Sequence, residues 1–244
     1  MTNLETNLRS VQERIDAAAR RVGRDPAGIT LVAVTKTQPP AVIQAAYDLG
    51  LRHFGENRVG EAEAKVGGLP QAIAWHMIGH IQSRKAKRVV PLFDLVHSVD
   101  SVKLARRLDR LSADRPEPLP VLLECNVSGE ESKYGFAADA WTEGGQQRES
   151  LLAAVKEMLA LPNLQMLGLM TMAPIVTDPE QARPVFVRLR QLRDELATIF
   201  PQADWRHLSM GMTDDFEVAI EEGATMIRVG RAIFAPDEPP WCKV

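Results

Sequence analysis

Thr30-Leu31-Val32-Ala33-Val34-Thr35-Lys36 is an apolar, β-branched run that stops at a lysine, with Pro39 and Pro40 just beyond. A continuous run of this kind is how a strand buried on both faces reads, and its lysine stands where the next loop begins. Desolvation disfavours an ammonium group at the mouth of such a strand, and a lysine placed there can lose its proton near neutral pH and act as a nucleophile. Schiff-base chemistry needs an amine of this type. A surface lysine that happens to end a strand fits the same letters, so the rest of the chain decides.

Working outward, seven further strand-like runs follow Leu31–Thr35: 52–56, 74–79, 94–99, 120–127, 164–170, 205–210 and 225–230. Helical periodicity falls between them over 39–49, 101–111, 148–161 and 179–199. Before the first strand, residues 3–22 carry Leu4, Leu8, Val11, Ile15 and Ala18 on one stripe, and Asp25-Pro26-Ala27-Gly28 breaks the helix. Strands alternating with helices give a parallel sheet, and eight of them fit an α/β fold of the (β/α)8 TIM-barrel type with an extra N-terminal helix. At 244 residues the chain fits one such domain, 1–244, with no linker or internal repeat. The longest irregular stretch, 128–147 after the fifth strand, reads as a loop or lid.

A formal charge of −3 gives neither nucleic acid nor an anionic membrane an attractive surface. The basic run Ser83–Arg88 reads as a solvated helix face. Cys125 and Cys242 have no framework spacing, and the first ten residues carry Glu5 and Arg9 where a leader would be apolar. The expectation is a cytoplasmic protein.

In a barrel the loops at the carboxyl ends of the strands converge on one opening. Lys36 falls there after the first strand, Glu56 and Asn57 after the second, His80 after the third, Ser98 and Asp100 after the fourth. Asn126 and Ser128 follow the fifth, 170–172 the sixth, 209–212 the seventh and 228–231 the eighth. Ser209-Met210-Gly211-Met212 and Arg228-Val229-Gly230-Arg231 look like an anion site, because their glycines permit close backbone approach and the following helix start at 213–220 offers amide hydrogens. Barrels commonly seat a phosphate in these two loops. An imine-forming lysine and a phosphate site on one rim would together hold pyridoxal 5'-phosphate. Arg228, which can only donate, is the candidate to face the ring nitrogen and keep it unprotonated, weakening the cofactor as an electron sink.

The strings AVTK, HFGENRVGEAEAK, WHMIGHIQSRKAK, SGEESKYGF, GLMTMAP and HLSMGMTDDFEVAIEEGATMIRVGRAIFA, between Leu31 and Ala235, closely resemble the YggS/PROSC family of pyridoxal phosphate homeostasis proteins. The resemblance implies an alanine-racemase-like barrel, monomeric, that holds pyridoxal phosphate as an aldimine on Lys36 and carries or buffers vitamin B6 without established catalysis, with apoenzymes as recipients. It places Asn57 near the ring, Ser209, Gly211 and Gly230 at the phosphate, and Arg228 at the ring nitrogen. Arg231 departs from the pattern, since a small hydroxyl residue is usual after this glycine; its backbone amide still serves. Arg84 stands where asparagine is more usual.

Other features read as structure. His53, His76, His97 and His207 lie within strands as packing histidines, and the four-residue spacing of His76 and His80 falls on a strand end, which argues against zinc. Met166, Met170, Met172, Met210 and Met212 either fill the core or line the mouth. Asp214 and Asp215 complement a helix dipole. The rival function is a pyridoxal phosphate-dependent racemase or decarboxylase. Racemization by two bases needs a second acid/base opposite Lys36; related racemases take it from a further domain, and of the two tyrosines here Tyr47 falls on a helix and Tyr134 in the long loop, where it would cover the cofactor. A cofactor-free Schiff-base aldolase is a third reading.

Overall fold

The structure, a computed structural model, describes residues 3–235. Its nine strands are all paired in parallel: β1 Thr30–Val34, β2 His53–Glu56, β3 Ala74–Met77, β4 Leu95–Val99, β5 Leu119–Asn126, β6 Phe136–Ala137, β7 Leu164–Met170, β8 His207–Ser209 and β9 Met226–Val229. Their order is β4-β3-β2-β1-β9-β8-β7-β5, and β4 pairs with β5 to close the ring. The two-residue β6 attaches outside the cycle to β5, so the stretch read as irregular contributes one short ribbon. The eight remaining strands are those expected, in the expected order.

The helices are α1 Asn3–Arg21, α2 Pro40–Asp48, α3 Val59–Val66, α4 Ala86–Val89, α5 Val102–Leu111, α6 Gly145–Leu159, α7 Arg183–Ile199, α8 Phe216–Glu221 and α9 Arg231–Phe234. α1 is the extra element, burying Val11, Ile15, Ala18 and Ala19, with Arg14 gripping Glu217 of α8 through two bonds of 2.7 and 3.0 Å. Ser101 caps α5 by accepting from the Leu104 amide. Residues 179–182 form a 3₁₀ turn leading into α7. The basic run Ser83–Arg88 becomes a 3₁₀ turn and the short α4.

Parallel register puts laterally paired residues on the same face. Val32 pairs with His53 and Arg228, Gly55 with His76, Met170 with Glu124 and Ser209. These residues face into the barrel, beside an apolar plug of Leu95, Leu122, Leu167, Met170 and Met226, against which Met172 packs. Phe54, Trp75, Val96, Val121, Leu208 and Ile227 belong instead to the larger core cluster that includes helix residues such as Ala62, Leu108 and Phe216. The methionines divide accordingly: Met166 and Met210 join the outer layer, Met170 and Met172 the interior. Cys125 is a buried free thiol; Cys242 lies outside the described residues. Among the described residues no helix is long and apolar enough to cross a membrane.

Candidate functional site

β1 and β9 run side by side, and their pairing ends with Ala33 opposite Val229. A Cβ on Gly230 would lie 3.3 Å from both the Cβ and the carbonyl oxygen of Val34, so the glycine lets the two strand ends close up. By alternation Val32 and Val34 share the inward face with Arg228, and Lys36 and Gly230 follow the two strands at their carboxyl ends. Val34, the last residue of β1, lies about 7 Å along the strand from the level of Arg228, and Lys36 follows two residues later.

Lys36 is exposed. This corrects the expectation of a lysine desolvated at the strand mouth. What is fixed is the backbone beneath it. Thr35 turns outward and is fully buried, its hydroxyl donating to Glu56 Oε1 at 2.7 Å. Lys65 of α3 donates to the same oxygen at 2.7 Å and to the Thr35 carbonyl at 2.9 Å. Thr37, at φ 64, is the one non-glycine residue with positive φ among those described; its amide donates to Glu61 Oε2 at 3.1 Å and its hydroxyl to the Lys36 carbonyl at 2.6 Å. A β-branched residue in the left-handed region is strained and persists only where its surroundings hold it. Glu56, expected on the rim, therefore braces the lysine turn from outside the barrel, and Lys65 is a residue that sequence reasoning missed.

The two glycine turns lie across the same opening. Gly211 adopts φ +90, and a Cβ there would fall 2.6 Å from Ala219 Cβ and 3.0 Å from Phe216 Cα. Both the angle and the space require glycine. The start of α8 differs from expectation: Asp215 accepts from the Met212 amide at 2.6 Å, so a side chain of the protein already takes that amide. Burial raises the Asp215 carboxyl above its ordinary value. Ser209 is not on the rim. Its side chain is fully buried within the barrel, 2.8 Å from His97 Nδ1 and accepting from Arg228 Nη1 at 2.6 Å. The Arg231 side chain turns to solvent and pairs with Asp214, which leaves its backbone as the part facing the turn. Asn57 is exposed at the end of β2.

Arg228 is 3% exposed, and burial lowers its pKa to about 10 against the pull of Asp215 and Glu124. Nη1 bonds to Ser209, and Nη2 donates to the Thr171 carbonyl at 2.9 Å and contacts Met172 Sδ at 3.3 Å. A guanidinium carries more hydrogens than these contacts use, so donors are left over. Glu124, also inward, is 6% exposed with Oε2 unpartnered; burial first, then Asp100, push its carboxyl up to about 7.

Further round the rim His80 Nδ1 lies 2.8 Å from Asp100 Oδ2, and its ring stacks on Tyr134 at 3.9 Å. That stack ties the long loop to the end of β3. Asn126 and Ser128 serve the loop itself, Asn126 donating to the Glu130 carbonyl and accepting from Ser128. His76 points into the barrel towards His53 and His97, so it and His80 diverge.

The alanine racemase N-terminal domain model matches residues 6–237. The chain is 42% identical over 228 residues to a pyridoxal phosphate homeostasis protein of Aquifex aeolicus, covering 93% of this chain and 95% of that one. It is 41% identical over 237 residues to the protein of the same name in Pseudomonas aeruginosa, covering 96% of each. Among solved structures, PipY of Synechococcus elongatus with pyridoxal phosphate bound aligns at TM-score 0.75 and 37% identity, covering 92% of this chain and 99% of that one. D-threonine aldolase from Filomicrobium marinum, 18% identical at TM-score 0.69 over 95% of this chain and 60% of that one, shares the fold. The barrel, the glycine turns and the lysine after β1 thus occur in a chain that belongs to the alanine racemase N-terminal domain family, among the pyridoxal phosphate homeostasis proteins.

Proposed function

We propose that this protein binds pyridoxal phosphate at the carboxyl end of the barrel and acts as its carrier or buffer. The observation that carries the reading is the pairing of β1 with β9, which sets Lys36 and Gly230 over one opening with the inward Arg228 guanidinium below. The residues fit the group. The glycine turns at 211 and 230 offer backbone to a phosphate, with the Arg231 amide beside them, and Asn57 after β2 is the residue for the ring. Arg228 has donors left for an acceptor such as a ring nitrogen, and Ser209 supports it from beneath rather than touching the phosphate. When bound, pyridoxal phosphate would supply an aldehyde electrophile, and Lys36 is the residue whose amine would meet it. The protein's own part is to hold that amine on a turn braced by hydrogen bonds and to meet the ring with an arginine that does not give up its proton, which favours holding the cofactor over using it.

The reading extends to a single-domain monomer, in the cytoplasm, that passes its cargo to apoenzymes; the relatives' printed names support its pyridoxal phosphate homeostasis part. Adding pyridoxal phosphate to wild type is expected to produce an imine absorbance band and a borohydride-fixed adduct on Lys36, both missing in Lys36→Ala. Equal binding by the variant overturns the reading. Interconversion of alanine enantiomers in proportion to protein, lost in Tyr134→Phe, would replace it with the racemase.

A further inference from the structure

The barrel interior carries a file of hydrogen bonds that the site as described does not require. His53 Nδ1 lies 3.0 Å from His76 Nε2, His76 Nδ1 lies 2.8 Å from His97 Nε2, and His97 Nδ1 lies 2.8 Å from Ser209 Oγ. Ser209 Oγ is also 2.6 Å from Arg228 Nη1. The file starts at half-buried His53, the first residue of β2, and ends at the arginine beneath the rim.

The donor inventory gives it a direction. A guanidinium has hydrogens and no acceptor, so Ser209 Oγ accepts from Arg228. Ser209 is fully buried, and its hydroxyl hydrogen has one acceptor within reach, His97 Nδ1. With Nδ1 accepting, a neutral His97 carries its hydrogen on Nε2 and donates to His76 Nδ1. His76 in turn donates from Nε2 to His53 Nδ1, and His53 keeps its own Nε2 hydrogen for the amino end of the barrel. The opposite direction strands the buried hydroxyl hydrogen, which disfavours it by roughly tenfold or more.

We infer that His53, His76, His97 and Ser209 form a one-directional hydrogen-bond file, every histidine a neutral Nε2–H tautomer, that positions the Arg228 guanidinium from the far end of the barrel. Burial supports neutrality: His97 is held well below its usual value, His76 at about 3, and His53 is lowered as well. The charged and titratable groups facing the file are Arg228, His207 and, at the His53 end, Asp94. The histidines are positioning residues; they reach the site only through Ser209 and Arg228. Their effect on a bound ring rests on the carrier reading above, whereas the tautomer pattern does not.

The test uses the full chain, labelled with ¹⁵N in its imidazoles, free of pyridoxal phosphate at pH 7. Two-bond nitrogen–proton correlations, assigned through His53→Gln, His76→Gln and His97→Gln, are expected to give the Nε2–H pattern for all three rings. An Nδ1–H or doubly protonated ring at any of the three overturns the direction. Pyridoxal phosphate is then titrated into Ser209→Ala and Ser209→Thr. Loss of about tenfold in affinity and a shifted pH profile of the absorbance band in the alanine variant, restored by threonine, support positioning. An unchanged affinity and profile in Ser209→Ala overturns it. If the wild-type tautomers are as stated and the wild type takes up no pyridoxal phosphate, the file stands and the carrier reading falls.

Discussion

Two neighbouring parts of the rim are built in opposite ways. After β1 the protein presents a side chain: Lys36 is exposed and free to swing, while the backbone under it is clamped from outside by Thr35, Glu56, Lys65 and the strained Thr37. After β8 and β9 it presents backbone: Gly211 and Gly230 have no side chain to move, and their turns pack directly on Ala219, Phe216 and Val34. A reacting amine needs reach from a fixed base, whereas an anion cradle needs amides held in place. The first side is therefore vulnerable through its buried braces and the second through its packing.

The largest effect is expected at Lys65, whose loss leaves the fully buried Glu56 carboxylate unpaired. Lys65→Met should destabilise by about 3–5 kcal/mol in urea unfolding, and Glu56→Leu added to it should recover most of that, since an apolar pair of similar volume replaces a buried ion pair at little net cost. If the single variant loses under 1 kcal/mol, the brace is not what holds the lysine turn. On the other side Gly211→Ala combines an unfavourable φ with a 2.6 Å contact against Ala219. About 2–4 kcal/mol should be lost, together with pyridoxal phosphate affinity. Should affinity survive while stability falls, the turn is a packing device and the cradle lies elsewhere.

How much of this the sequence carried depends on which side of a strand a residue takes. Strand order, the extra helix and the placing of Lys36, Arg228 and the glycine turns at the carboxyl end were all readable, because apolar runs and their punctuation survive without coordinates. Facing was not. Strands buried on both sides read as unbroken apolar runs, so alternation could not tell Glu56, turned out to Lys65, from Ser209, turned in to Arg228. Pairing register settles that, and register is set by neighbours far along the chain. For the same reason the four strand histidines could be read only as packing, although register brings three of them into one file.

Glu124, on β5 beyond β7 and facing into the barrel, gives the comparison a pH axis. Its carboxyl, raised from 4.5 to about 7, binds its proton more tightly in the folded chain than in the unfolded one. The folded state therefore keeps this contribution below pH 4.5 and loses it as the pH climbs through 7, about 3 kcal/mol in all. Glu124→Gln should be close to wild type at pH 5 and more stable at pH 8. Urea midpoints at the two values measure the difference, and parallel pH dependence in both proteins would mean the acid is ionised in the fold.

The smallest effect separates stability from reach. Thr37 holds a left-handed conformation that disfavours a β-branched residue by roughly 1–2 kcal/mol, while glycine there surrenders roughly 0.5–1 kcal/mol of extra chain entropy on folding. Thr37→Gly should then gain about 0.5 kcal/mol in stability. Its turn would also lose the hydroxyl that donates to the Lys36 carbonyl, leaving the lysine with a looser base. Stability up and pyridoxal phosphate affinity down in the same variant would mean that the strain serves the amine. If both rise, the turn is merely tolerated, and the contrast between a clamped side-chain donor and a packed backbone cradle loses its first half.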